Sequence, residues 1–518
     1  MLRKALNHTC SKNHLPLATL RIIPVRLSLC NSTRSFTACT PAMTPMEPSP
    51  AVKAKKLINF LRGWPSAHTL PSELLKSASN RVLSNSDIFV PGLQYGPDPG
   101  FQPLREELAQ LLSGYYDTKP DPERICITGG ASQSIANLLQ SFTEPVFTKA
   151  VWAVTPVYYL ACPIFEDAGF KGRLKAVPED KEGIDLEFLE TGLKAFQDKL
   201  DPTEEPVFKD PQDTARKLYR HVIYVVPTSA NPSGKTMTYK RRLDLVQLAR
   251  KYNCLIICDD VYDFLQWPVV DAANTSSKPL PRTKPLPLLA DIDFQLGPSL
   301  HDTARSDGKW FGHAISNGSF SKIIAPGMRT GWVQGTRDFA HGTAQTGASK
   351  SGGAPSHFSA TVIYEMMRNG DVARHIDGTC RPDLQRRHAL LMGAIHKKLD
   401  KFGIDVLDGN VGEDGKVTYG GYFVWITFLH GPAAKDIAQR AMEDENLLVP
   451  AGSTFSVKGD DQAVDLENCV RLCYSWEDDK DLLEGIDRLE RVIDSLQSGR
   501  SHASQGQDLK RRQLDKFA

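Results

Sequence analysis

Lys322 stands in Ser319-Phe320-Ser321-Lys322-Ile323-Ile324-Ala325-Pro326-Gly327-Met328-Arg329, flanked by two small hydroxyl residues and followed by an arginine. A lysine attacks an aldehyde only when neutral, so it needs burial or nearby positive charge, and Arg329 is the cation the sequence offers. Most lysines are solvated on the surface; this setting is too particular for an exposed helix. Upstream, apolar Leu255-Ile256-Ile257-Cys258 runs into Asp259-Asp260-Val261-Tyr262. A carboxylate ending a buried strand needs a partner, since breaking a buried charge pair costs about 3–5 kcal/mol. A protonated ring nitrogen would serve Asp259, with the Tyr262 hydroxyl aimed at the ring's phenolate oxygen, while Asp260 reads equally as a helix N-cap. Amine, carboxylate, phenol and arginine together are what pyridoxal phosphate requires.

Other strand ends extend the set. In Val226-Pro227-Thr228-Ser229-Ala230-Asn231-Pro232-Ser233-Gly234, Asn231 precedes proline and is held extended, which presents its amide to a ring oxygen. Thr128-Gly129-Gly130-Ala131-Ser132-Gln133 opens a helix directly after a strand, where free amides and the positive dipole end bind phosphate. Such turns also bind nucleotides, but neither GxGxxG nor GxxxxGK[ST] accompanies this one. Tyr158, in Pro156-Val157-Tyr158-Tyr159, could stack on the cofactor ring or be a core aromatic, and Tyr95, in Gln94-Tyr95-Gly96, could reach a phosphate. Arg471 lies inside the apolar stretch Val470 to Tyr474, and a buried guanidinium needs an anion; a carboxylate matches its fork better than an internal salt bridge explains it.

These residues need a scaffold that brings strand ends together. Strand candidates at Ile125 to Thr128, Ala150 to Val154, His221 to Val226 and Cys254 to Ile257 alternate with helical patterns at Ser132 to Phe142 and Lys240 to Lys251. Strict alternation implies a mostly parallel, doubly wound α/β sheet with its ligand beyond the carboxyl ends of the strands. Asp201 to Ala215 and the Pro-rich Trp267 to Ser306 read as loops. A charged helical pattern with a late break covers Gly370 to Phe402, followed by strands at Gly420 to Ile426 and Cys469 to Tyr474 and a helix at Asp478 to Leu496, a smaller α+β unit. The expected division is 1–46 transit peptide, 47–90 N-terminal arm and part of the small domain, 91–365 large cofactor-binding domain, 366–498 small domain and 499–518 polar tail.

The 518 residues are 41% hydrophobic and 24% charged with a formal net charge of +1, which gives no basic excess for nucleic acid. No uncharged apolar run approaches a membrane span. The cysteines form no CxxC pair, and Cys254, Cys258, Cys469 and Cys473 read as buried thiols rather than metal ligands or disulfides. Met1 to Met46 contains no Asp or Glu but has Arg3, Lys4, Lys12, Arg21, Arg26 and Arg34 among Ser, Thr and Leu, the composition of a mitochondrial transit peptide; initiation at Met43 or Met46 would leave a cytoplasmic protein.

With these residues assembled, the chain from about Leu57 to Leu496 resembles the class I/II, fold-type I pyridoxal-phosphate aminotransferases, in the group of 2-aminoadipate and kynurenine aminotransferases. The motifs appear in the family's order: Gln94-Tyr95-Gly96 with Pro103-Leu104-Arg105, Gly130 to Gln133, Pro156-Val157-Tyr158, Asn231 to Gly234, Asp259 to Tyr262, Ser319 to Arg329, and Arg471. The resemblance implies a large, mostly parallel sheet domain plus a smaller α+β domain. It makes Lys322 the Schiff-base lysine and proton shuttle, Asp259 the partner of the ring nitrogen, Asn231 and Tyr262 the partners of the ring oxygen, and Tyr158 the stacking ring. The amides of Ala131 and Ser132, the hydroxyls of Ser319 and Ser321, and Arg329 would hold the phosphate, joined by Tyr95 from the neighbouring subunit of a homodimer. Arg471 would grip the substrate α-carboxylate with Asn231 and Gly63 nearby. The implied reaction is ping-pong transfer of an amino group between an L-amino acid and a 2-oxo acid. A lyase, decarboxylase or synthase on the same site, or a sensor without turnover, are the alternatives.

Overall fold

In the computed structural model the described residues are 55–196, 206–269, 284–303, 308–350, 352, 356–412, 414–461 and 463–499. The expected transit segment 1–46, the polar tail beyond 499 and the middle of the Pro-rich stretch lie outside them.

Seven strands build the main sheet: β1 (Ile125–Thr128), β2 (Ala150–Thr155), β3 (Leu174–Pro178), β4 (His221–Val225), β5 (Cys254–Asp259), β6 (Ala314–Ser319) and β7 (Gly331–Gln334), in spatial order β1-β7-β6-β5-β4-β2-β3. The pairs from β6 through β5, β4 and β2 to β3 are parallel. β7 alone runs antiparallel, to both β6 and β1. All six residues of β5 are buried because both faces are covered. Leu255 and Ile257 face a core with Leu138 and Phe142 of the helix Ala131–Phe142. Ile256 and Cys258 face the opposite core with Leu245 and Leu248 of the helix Tyr239–Lys251.

A second sheet holds β8 (Ile404–Val406), β9 (Phe423–Phe428) and β10 (Cys469–Cys473), antiparallel throughout. The helices Arg381–Leu399 and Asp479–Gln497 pack with it in a core that also takes Ile58 and Phe60 of the N-terminal arm. The arm is fastened by its backbone, Ile58–Asn59 pairing in parallel with Leu447–Leu448. The expected α/β class is therefore what the chain adopts, and Cys254, Cys258, Cys469 and Cys473 are buried free thiols.

Three local expectations are corrected. Within 201–215, Phe208–Asp210 and the start of Asp213–Lys217 form an antiparallel hairpin rather than a loop. The Pro-rich stretch contains an edge strand, Gln266–Pro268, paired with Val417–Gly420, and helices Leu289–Gln295 and Leu300–Thr303. Local periodicity hides these elements because buried ion pairs order them: Asp291 with Arg124 at 2.9 Å, Asp293 with Arg250 at 2.7 Å, and Lys217 with Asp302 at 3.5 Å. Between 370 and 402 the irregularity is early, a wide turn at Ile376–Cys380 leading into Arg381–Leu399. Pro382 lacks the amide that would bond the carbonyl four residues back, so the chain widens there.

Candidate active site

Strand β5 delivers Asp259 at its carboxyl end, and the turn after β6 delivers Lys322. Asp259 is 5% exposed; its Oδ2 accepts a 2.8 Å hydrogen bond from the Tyr224 hydroxyl of β4, and its Oδ1 has no partner. Burial pushes its carboxyl up to about 6, against the opposing effects of the Tyr224 bond and the Lys322 charge. Burial also lowers the Lys322 amine to about 8; Cys473 and Asp259 oppose this shift and Arg471 adds to it. The sequence offered Arg329 as the lowering charge, and that is corrected: the guanidinium acting on Lys322 is Arg471, while Arg329 bonds the carbonyls of Pro326 and Gly129, each at 3.0 Å. Nζ of Lys322 donates to the Gly63 carbonyl at 2.8 Å and lies 5.0 Å from the ring of Tyr422 and 5.9 Å from that of Tyr262.

Asp260 is not a helix cap, since a turn follows it; it is buried beside Asp263 and Arg242, and burial first, then Asp263, raises its carboxyl. Arg471, 2% exposed on β10, donates to Oδ1 of Asn231 at 3.0 Å and to the Leu61 carbonyl, and its guanidinium stacks 4.0 Å from Phe423 and 4.6 Å from Phe455. Its Nε is buried without a partner. Asn231 and Tyr158 line one narrow cleft with Tyr224. Burial raises the phenol of Tyr158 to about 12 and also raises that of Tyr262 well above its ordinary range, so both stay protonated donors.

The helix starting at Ala131 is capped by Gly130, whose φ of 96° suits glycine, and a Cβ there would come 2.8 Å from Nη2 of Arg329. First-turn amides of Ala131 and Ser132 have no partner within a helix. Across from them, the Ser319 hydroxyl donates to that of Ser321 at 2.9 Å and accepts the Ser321 amide at 3.1 Å. Thus Arg329 meets the glycine turn, and Arg471 meets Asn231. Gly63 meets Lys322, and its own Cβ would come within 2.6 Å of Phe423. Tyr95 is the exception: at 88% exposure, beside Gly352, it is not enclosed in the site of its own chain.

This arrangement fits pyridoxal phosphate. An orphaned carboxylate oxygen, a lysine amine of lowered proton affinity, and a glycine turn with free amides facing an arginine and two serines supply the three sets of groups the cofactor needs. Sequence reasoning missed Tyr224, Leu61 and Tyr422. A lone phenol among the apolar Val222, Ile223 and Val225 was the available signal for Tyr224, whereas a backbone carbonyl such as that of Leu61 leaves none.

The model of the family described as "Aminotransferase class I and II" matches residues 59–489. An uncharacterized protein of Saccharomyces cerevisiae is 32% identical over 458 residues, spanning 85% of this chain and 97% of its own. Aromatic-amino-acid aminotransferase 1 of Thermococcus litoralis is 26% identical over 442 residues, 85% of this chain and 89% of its own. The crystal structure of Pyrococcus horikoshii kynurenine aminotransferase superposes with a TM-score of 0.64 at 24% identity, covering 87% of this chain and 93% of that one. The chain belongs to the class I and II aminotransferase family. Its cofactor is pyridoxal phosphate, and its substrates are an amino acid and a 2-oxo acid.

Proposed function

We propose that Lys322 both carries the cofactor and moves the proton in each half of the transamination, with Asp259 as partner of the cofactor's ring nitrogen. The observation behind this reading is the orphaned Oδ1 of Asp259, on a buried carboxyl that interacts electrostatically with an amine of lowered proton affinity. When bound, pyridoxal phosphate supplies an electron sink for the pair left at the substrate Cα. Because its pKa lies near 8, Nζ of Lys322 is partly neutral around physiological pH and can take the Cα proton, then return it once charged. Above about pH 6 Asp259 is ionised and can stabilise a positive ring nitrogen. Arg471 grips the α-carboxylate through its planar fork, which Asn231 orients through Oδ1.

Ala131, Ser132, Ser319, Ser321 and Arg329 hold the phosphate; Tyr158 covers one ring face, and Tyr262 serves the ring oxygen with Asn231. Gly63 closes over the amine. Tyr95 enters the site of a second copy in a homodimer, a reading supported by its exposure as a large aromatic. The amino donor carries a large side chain, as the rings of Phe423 and Phe455 around Arg471 suggest. Residues 91–365 form the cofactor-binding domain and 366–498, with part of 47–90, the smaller one, while residues 1–46 direct the protein to mitochondria.

An absorbance spectrum of the purified full chain tests the reading. A visible band should shift to the near ultraviolet on adding mixed L-amino acids and return with 2-oxoglutarate. A band that never converts would favour a lyase or a sensor, and no band even with added cofactor would refute the role of Lys322.

A further inference from the structure

We infer that Arg62 is the second cation of the substrate site and takes the distal carboxylate of a dicarboxylic substrate. The inference rests on the aminotransferase reading above and adds a residue that reads the substrate's far end.

Arg62 is half-buried in the N-terminal arm, its Nε is buried with no hydrogen-bond partner, and it pairs with no carboxylate among the described residues. Three more deeply buried arginines are satisfied at the same atom: Nε of Arg387 by Asp383 at 2.8 Å, of Arg488 by Glu484 at 3.0 Å, and of Arg242 by the Met237 carbonyl at 3.1 Å. Arg62 instead lies against two indoles, its Cζ 4.6 Å from the ring of Trp64 and 4.8 Å from that of Trp476, which meet edge to face. Aromatic faces hold a guanidinium without neutralising it and without using its N–H edge. The fork is left for a planar anion.

The backbone says which anion. The carbonyl of Leu61 is bonded by Arg471 and that of Gly63 by Lys322, so Arg62 is threaded between the α-carboxylate reader and the reactive amine. The next carbonyl, of Trp64, accepts from the Ser475 hydroxyl at 2.8 Å, on the segment that follows Arg471 in the chain. Two guanidiniums with unpartnered Nε groups, Arg62 and Arg471, are thus tied to the ends of one dipeptide stretch over the site. A dicarboxylic acid offers one carboxylate to each. An aromatic donor would meet the indoles of the same cluster, which lets one site serve both halves of a ping-pong exchange.

The test uses full-length holoenzyme and two acceptors, 2-oxoglutarate and the monocarboxylic 2-oxohexanoate. Arg62→Gln should lower the kcat/KM ratio of the first to the second by about 10- to 100-fold, mainly through KM, with Arg62→Lys intermediate because it keeps charge but loses the fork. Glutarate, which cannot react, should change tryptophan fluorescence in the unaltered protein and not in Arg62→Gln. An unchanged ratio, or the same glutarate response in both proteins, would overturn the assignment of Arg62. Failure of the unaltered protein to use either oxo acid would instead overturn the aminotransferase reading, and the glutarate titration would still decide Arg62.

Discussion

Opposite ends of the central strands treat buried aspartates in opposite ways. At the carboxyl end of β5, Asp259 keeps one oxygen without a partner, and burial raises its carboxyl to about 6. At the amino end of β6, both oxygens of Asp302 are taken. Oδ1 lies 3.5 Å from Lys217 and accepts the Phe311 amide at 3.3 Å; Oδ2 accepts the Ser299 hydroxyl at 2.7 Å. Burial works to raise the Asp302 carboxyl, yet the Lys217 charge and the Ser299 bonds outweigh it and hold the group below the usual carboxylate range. Asp293, at the same end, is saturated by Arg250 and the amides of His313 and Ala314. A saturated buried charge fixes architecture, whereas a valence left open at a strand's end waits for a ligand.

Substitutions at the two ends should therefore fail in different ways. Lys322→Ala should lower amino-group exchange by about 10³-fold or more while the protein melts as before, since the lysine is proposed as the proton carrier and makes one hydrogen bond, to Gly63. Stopped-flow absorbance after mixing with an amino acid measures the first effect and calorimetry the second; rapid conversion in the variant would erase the distinction between the two ends. Asp302→Ala should do the reverse. It leaves Lys217, whose side chain is wholly buried, without that carboxylate, and should cost about 3–5 kcal/mol in chemical denaturation. A loss under about 1 kcal/mol would mean that the pair does not order the hairpin strand Asp213–Lys217 and the helix Leu300–Thr303.

Much of the site was legible in the sequence because its groups sit at the ends of strands whose apolar runs are self-announcing. β1 has the bounds its composition suggests, and β5 adds only Cys258 and Asp259 to the stretch read from sequence. β6 was not legible: Ala314-Ile315-Ser316-Asn317-Gly318-Ser319 has the polar composition of a turn. It is a strand because β5 and β7 flank it, and Asn317, fully buried, donates to the Ala131 carbonyl at 3.1 Å. The helix Leu289–Gln295 was hidden for the same reason, its order coming from Arg124 and Arg250, distant in sequence. Asn231 and Arg471 were each recognisable alone, but their 3.0 Å contact joins the two sheets and no local pattern carries it.

A subtler test lies in the stability of the cofactor-free protein. Folded Asp259 titrates near 6 against 3.8 for an ordinary aspartate, so the native state holds a proton that the unfolded chain releases between those values. Stability from this group is thus full below about pH 4 and is lost as pH rises through 6. Asp259→Asn, which cannot ionise, should match the unaltered apoprotein near pH 4 and exceed it by about 1–3 kcal/mol at pH 7. Denaturant midpoints at the two pH values decide this, and an Asn variant less stable at pH 7 would show that Oδ1 has a partner after all.

The smallest effect concerns the amine opposite. In apoprotein, acylation of Lys322 should rise through about pH 8 rather than the 10.5 of a free lysine, because burial and Arg471 both disfavour the ammonium. Arg471→Gln removes the second contribution and should move the reactivity curve to higher pH without restoring it to 10.5, burial being the larger cause. A curve that stays in place would make burial the whole explanation. A curve that returns fully to the free-lysine value would instead make the guanidinium, brought from the second sheet, the device that readies the amine, so that the reactive state would depend on how the two sheets are held together.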